Sequence, residues 1–101
     1  MTGQFSTMYD FYTQVLGLRL SDRSGEGVAF LHAPHGSDHH LIALAGGPGA
    51  ALHHLSWDVP TVEDCGLGMM RLQAAGYKVG WGVGRHVLGS NYFYYAQDPW
   101  G

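Results

Sequence analysis

The feature that most constrains this chain is an internal repeat. The segments FYTQVLGLRL (residues 11–20) and MRLQAAGYKV (70–79) match in role, because each holds the end of a helix, a glycine that caps it and the start of a strand. Apolar residues recur at helical spacing up to Gly17 in the first segment and up to Gly76 in the second. Since a repeat constrains the whole fold, the sequence predicts two copies of one unit, each a strand, a helix and three strands.

The elements of each unit can be placed along the chain. We predict a first helix over about residues 8–16 with Ser6 as its N-cap, and a second helix that begins with a capping box formed by Thr61 and Asp64. Runs of apolar and aromatic residues between turn signals predict the strands. In chain order these are residues 18–21, 28–33, 39–45, 52–59, 77–81 and 92–98.

The segment GGPGA separates the two units, since neither glycine nor proline favours regular structure. We predict one domain over 1–101, with a first unit at about 1–46, a linker at 46–50 and a second unit at about 51–101. The first unit has only MTGQF where the second opens with a strand, and the second unit has no counterpart of the first unit's last strand. We therefore expect the first and last strands to lie outside this sequence, and the open sheet edges to favour association.

Composition argues against several classes of function. Charged residues make up 13% of the chain and the net charge is −3, which argues against a nucleic-acid partner or a membrane surface. No apolar stretch approaches about 18 residues, no leader is evident, and the single Cys65 cannot form an internal disulfide. We therefore expect a soluble, cytoplasmic domain. Seven histidines are the one compositional hint of chemistry, because histidine binds metals and titrates near neutral pH.

Four polar residues are candidates for that chemistry, although each has a simpler explanation. Alternation puts His53 on the apolar face of its strand, which is more typical of a buried histidine than of a ligand. His40 belongs to a doublet at a predicted strand start, where polar residues are common. His86 follows a glycine-rich loop, and Tyr95 lies in an aromatic run that β-propensity alone explains.

Taken in order along the chain, these segments resemble a known family. FYTQVLGLRLSD, FLHAPHGSDHHLIALA, LHHLSWDV and GRHVLGSNYFYYAQDPWG are similar to the vicinal-oxygen-chelate superfamily, and more narrowly to the catalytic domain of type I extradiol ring-cleavage dioxygenases. The histidine doublet before LIALA and the spacing from His86 through Tyr95 to DPWG carry the narrower resemblance, which covers about residues 5–101. It implies an α+β fold in which paired βαβββ units form a cup-shaped mixed sheet.

The resemblance also implies a chemistry. Such enzymes open a catechol-type aromatic diol with O₂ at a non-haem Fe(II), or at another divalent metal such as Mn(II). The metal is held by two histidines and a glutamate, which leave open positions for substrate and O₂. By resemblance, His53 is a metal ligand, His40 is the acid/base histidine, and His86 and Tyr95 hydrogen-bond the catecholate. The other two ligands fall outside this sequence, so we expect the 101 residues alone to be a poor enzyme.

Two alternatives of the same fold stay open. A glyoxalase-like, metal-dependent isomerase or lyase uses the same cup but does not need the set of His40, His86 and Tyr95. An antibiotic-binding module would use the aromatic side chains for stacking and needs no redox metal. Oxygen uptake with catechols separates the dioxygenase from both. In each case the partner is a small molecule, and the family resemblance favours a homo-oligomer.

Overall fold

The computed structural model describes residues 1–100. The chain forms two compact units, Met1–Leu55 and Ser56–Gly101, and in each a helix is followed by antiparallel strands. The boundary between the units lies after the predicted linker at 46–50, because hydrogen bonds tie that segment to the first unit. The N–H of Gly47 donates to the carbonyl of Thr2 at 3.0 Å, and other backbone bonds join Gly46 to Gly27 and Ala51 to Met1.

The first unit opens with helix α1, Phe5–Asp10, which continues as a π-helical turn over Phe11–Val15. In that turn the N–H of Leu16 donates to the carbonyl of Phe11 at 3.1 Å. The helix ends as predicted, since Gly17 adopts a φ of 74°, a left-handed conformation that favours glycine.

The start of α1 differs from the prediction. The helix begins at Phe5, so Ser6 lies inside it and is not the N-cap. The N–H of Gln4 is bound instead by the Thr2 hydroxyl at 3.0 Å, and the Ser6 hydroxyl donates to the Glu26 carboxylate at 3.3 Å. The Ser6 side chain is thus bound to a distant residue, and the Thr2 side chain binds the backbone ahead of the helix. The helix accordingly begins closer to the N-terminus than predicted.

Three antiparallel strands follow α1, in the order β1 (Arg19–Ser24), β2 (Val28–His32) and β3 (Ile42–Ala45). The third strand begins three residues later than predicted, so the doublet at residues 39–40 precedes it. The core of the unit lies where β2 and β3 pack against α1. Its buried side chains are Phe5, Ala29, Leu31 and Leu44.

The predicted strand at residues 52–59 is wrong. That segment has no regular structure, and its apolar side chains are exposed, with Trp57 at 81% and Leu52 at 77%. Alternating apolar residues supply strand propensity, but a strand also needs a neighbour for its backbone N–H and C=O groups. The described chain provides none at 52–59.

The second unit begins with helix α2, Val62–Ala74. Thr61 is the N-cap as predicted, because its hydroxyl accepts the Asp64 N–H at 3.1 Å. The Asp64 carboxylate accepts a hydrogen bond from the same hydroxyl at 2.8 Å, whereas in a full capping box it accepts the backbone N–H of Thr61. The predicted cap at the other end is also confirmed, with Gly76 at a φ of 86°.

Strands β4 (Val79–Arg85) and β5 (Tyr92–Ala96) form an antiparallel hairpin behind α2. β4 begins and ends later than the predicted 77–81. Glycine at every second position of β4 lets β5 approach closely. A Cβ at Gly80 would collide with the carbonyl oxygen of Tyr95. No helix within residues 1–100 is long and apolar enough to cross a membrane.

Candidate functional site

His40 lies in the first unit, in the loop that leads into β3. Its half-buried ring lies 4.7 Å from the ring of Phe30, measured between centroids. Its Nδ1 also lies 3.0 Å from the Nδ1 of His39. A hydrogen bond between two ring nitrogens requires one protonated and one unprotonated nitrogen, so one histidine of this doublet donates and the other accepts.

His53 lies in the segment after the first unit's sheet and pairs with its neighbour in the same way. Its Nδ1 is 2.7 Å from the Nδ1 of His54, and both rings are exposed. When His53 supplies the proton of this bond, its Nε2 is left unprotonated and able to bind a metal ion. Ligating histidines commonly donate their second ring nitrogen to a neighbour, so the doublet suits one metal ligand.

One ligand does not complete a metal centre. Within residues 1–100, no three His, Cys, Asp or Glu side chains come together in a group that could hold a metal ion. A site for iron or manganese of the predicted kind takes three protein ligands. The chemistry of His53 therefore fits the implied metal, whereas the described residues do not form the whole coordination sphere.

His86 and Tyr95 lie together in the second unit, on the hairpin formed by β4 and β5. Their rings are 6.2 Å apart and nearly perpendicular, at 82°. His86 follows β4 directly, and its backbone N–H closes the hairpin by donating to the carbonyl of Asn91 at 3.0 Å. The hairpin thus brings an imidazole and a phenol, both half-buried, to one place.

Two further aromatic rings complete this cluster, which we call the hairpin cluster (Trp81, His86, Phe93 and Tyr95). Phe93 stacks on His86 at 3.9 Å with 15° between the planes, and Trp81 lies nearly parallel to Tyr95 at 5.6 Å. Trp81 keeps 65% of its surface exposed. The cluster therefore combines apolar ring faces with polar ring atoms, a combination suited to a planar aromatic molecule that carries hydroxyl groups.

Three aromatic residues that contact the predicted site residues were not identified from the sequence, namely Phe30, Trp81 and Phe93. Phe93 and Tyr95 alternate on β5, so strand periodicity would have placed both on one face. Trp81 required the pairing of β4 with β5, and Phe30 required the fold of the loop that carries His40. No local signal in the sequence identifies those two contacts.

The chain matches known proteins along its whole length. Residues 1–101 match the profile described as "Glyoxalase/Bleomycin resistance protein/Dioxygenase superfamily". The chain is 59% identical over 92 residues to metapyrocatechase 2 of Cupriavidus necator, an alignment that covers 91% of this chain and 29% of that protein. It is 36% identical over 98 residues to biphenyl-2,3-diol 1,2-dioxygenase of Pseudomonas sp. strain KKS102, covering 88% of this chain and 32% of that protein.

A solved structure is also similar. The crystal structure of the Mn(II)-bound glyoxalase from Novosphingobium aromaticivorans superposes with a TM-score of 0.87 at 39% identity, covering 99% of this chain and 32% of that one. This chain thus spans about a third of the length of the proteins that it matches.

Proposed function

Because the chain belongs to the Glyoxalase/Bleomycin resistance protein/Dioxygenase superfamily, we propose that the complete protein is an extradiol ring-cleavage dioxygenase. It opens a catechol-type aromatic diol with O₂ at a non-haem Fe(II), as a step in aromatic catabolism. The α+β fold and the family predicted from the sequence are confirmed. The proposal of activity is supported by the identity to metapyrocatechase 2 and to a biphenyl-2,3-diol dioxygenase. The observation that carries it is the pairing of His86 with Tyr95 on one hairpin.

Each site residue has a proposed role. His53 is one metal ligand, and two further ligands come from the rest of the protein. A bound metal supplies Lewis acidity, which lowers the pKa of the diol hydroxyls. His40 accepts and returns a proton beside the reacting oxygen atoms. His86 and Tyr95 hydrogen-bond the substrate oxygens and orient the ring.

Fe(II) is proposed as the metal because a site of two histidines and one carboxylate with open positions suits oxygen chemistry at iron. Mn(II) is the alternative, since the similar glyoxalase is Mn(II)-bound. That same protein favours the second candidate function, a glyoxalase-like isomerase or lyase. The two functions differ in their use of O₂, because only the dioxygenase consumes one O₂ for each diol that it opens.

The test is oxygen uptake by the complete protein, loaded anaerobically with Fe(II) and supplied with catechol or biphenyl-2,3-diol. We expect O₂ consumption that matches the loss of diol. His40→Ala lowers kcat by roughly 10²- to 10⁴-fold, the usual contribution of a general acid or base, while diol binding persists. His35→Ala is the matched control, because His35 is an exposed histidine of the same loop. Absence of O₂ uptake with any vicinal diol would favour the isomerase, and unchanged turnover in His40→Ala would overturn the role of His40.

We also propose that the protein works in the cytoplasm as a homo-oligomer. The proposal of an oligomer is supported by the exposed apolar residues that follow the first unit's sheet, among them Leu52 and Leu55. Light scattering of the complete protein at micromolar concentration measures its mass, and a stable monomer would contradict the proposal.

A further inference from the structure

We propose that Ser21 and His32 position His40, by fixing the backbone just before it through a hydrogen-bonded bridge. This inference rests on the proposed function, in which His40 transfers a proton during ring cleavage. Neither Ser21 nor His32 touches the diol in this proposal, so both are positioning residues.

The bridge consists of two short contacts. The Ser21 Oγ lies 2.5 Å from the Nδ1 of His32 and 2.5 Å from the carbonyl oxygen of His39. His32 ends β2, and His39 is the residue before His40. One hydroxyl therefore joins β1, β2 and the loop that carries the acid/base histidine.

A β-bulge explains why Ser21 reaches this loop. Leu20 pairs with Leu31 and Asp22 pairs with Phe30, so Ser21 is an extra residue without a partner on β2. A bulge bends its strand and re-aims the side chain of the extra residue, and bulges are over-represented next to active sites. In this chain the bulge directs a hydroxyl towards the segment before His40.

The number of hydrogens available to the two hydrogen bonds of the bridge determines the tautomer of His32. The His39 carbonyl can only accept a hydrogen bond, and the Ser21 hydroxyl has a single hydrogen, which it donates to that carbonyl. The Nδ1 of His32 must then carry a proton and donate to the Ser21 Oγ. His32 is thus a donor in this bridge, which excludes a role as the base that would activate Ser21 as a nucleophile.

The bridge holds His40 from one side, and the sheet holds it from the other. On the far side of His40, the N–H of Leu41 donates to the carbonyl of Leu31 at 2.8 Å. Hydrogen bonds therefore fix the backbone on both sides of His40, and the ring itself packs on Phe30. This arrangement gives a loop residue a defined position, which proton transfer requires because small displacements of a catalytic group slow a reaction strongly.

The test compares Ser21→Ala, Ser21→Thr and the matched control Ser24→Ala in the complete, Fe(II)-loaded protein. Ser24 is exposed on the same strand and lies outside the bridge. We expect Ser21→Ala to lower kcat roughly 10- to 100-fold through misplacement of His40, with KM within about twofold of wild type. Ser21→Thr retains the hydroxyl and restores most of kcat, and Ser24→Ala behaves like wild type. His32→Phe keeps the bond from Ser21 to His39 and gives a smaller loss.

A second readout does not depend on turnover. Nitrogen-15 NMR of the histidine side chains in the wild-type protein should show neutral His32 protonated at Nδ1, and Ser21→Ala should redistribute that proton between the two ring nitrogens. Full kcat in Ser21→Ala, equal losses in the Ala and Thr variants, or an Nε2-protonated His32 in wild type would each overturn the inference. A wild-type protein that consumes no O₂ with diols but shows the Nδ1 tautomer would refute the proposed function and leave the bridge standing.

Discussion

The two units share one sequence pattern of helix, capping glycine and strand, yet they are stabilised differently. The first unit has a buried core, with Ala29 and Leu31 at 0% exposure on its central strand. Among the side chains that the structure describes in the second unit, none is buried to that degree, and Trp81 stays 65% exposed. The same local pattern therefore leads to a core in one unit and to an uncovered hairpin in the other.

The number of strands accounts for this difference. In the first unit β2 is paired on both edges, so its alternate side chains are enclosed between α1 and the neighbouring strands. In the second unit α2 faces a sheet of two strands, and a lone two-stranded hairpin is marginally stable. That unit depends on local devices, namely a helix cap, close strand contact through glycine and the ring contacts of the hairpin cluster. The comparison between the units is therefore tested by substitutions of a buried side chain in the first unit and of the cap and close-contact residues in the second.

The largest effect is expected for Leu31→Ala, which removes a fully buried side chain from the first core. Such truncations cost about 2–5 kcal/mol of unfolding free energy. The control is Leu67→Ala on α2, where the side chain is 47% exposed and the change should stay within about 0.5 kcal/mol. Urea denaturation of the two variants measures both values. Similar losses at the two positions would mean that the second unit also has a core.

A smaller effect is expected for Gly80→Ala in the second unit. The added Cβ would meet the Tyr95 carbonyl oxygen, so β5 must shift, at about 1–3 kcal/mol. Gly66→Ala on α2 is the control, because nothing lies within 4 Å of its Cβ and alanine should stabilise the helix by about 1 kcal/mol. Amide hydrogen exchange along β5 reports the loss. Unchanged protection there in Gly80→Ala would show that close strand contact does not hold the hairpin together.

The smallest effect is expected for Thr61→Ala, which removes the N-cap hydroxyl of α2. Loss of a side-chain cap costs about 1 kcal/mol. Thr61→Ser keeps the hydroxyl that binds the Asp64 N–H and should be close to wild type. Helical circular dichroism during thermal unfolding measures the change. If the serine variant loses as much as the alanine variant, then the hydroxyl bonds are not what stabilises the start of α2.

The contacts of the candidate site also differ in whether local sequence or tertiary structure determines them. The hairpin that joins His86 to Tyr95 needs only a short turn, so its pairing is local. The roles assigned to His40, His53, His86 and Tyr95 all came from resemblance to the family and remain predictions. The bridge from Ser21 could not be predicted, because it depends on a bulge whose position is visible only once β1 is paired with β2.

The sequence by itself determined the features that a few neighbouring residues decide. Gly17 and Gly76 end their helices because they accept positive φ, and Thr61 begins one because its hydroxyl lies within reach of the Asp64 N–H. Tertiary structure alone decided which apolar segments become strands, since 28–32 found partners on both edges and 52–59 found none. The physical reason is the distance along the sequence between the groups that form each hydrogen bond. Caps and turns are satisfied within about four residues, whereas a strand's hydrogen bonds require a partner whose position the local sequence does not encode.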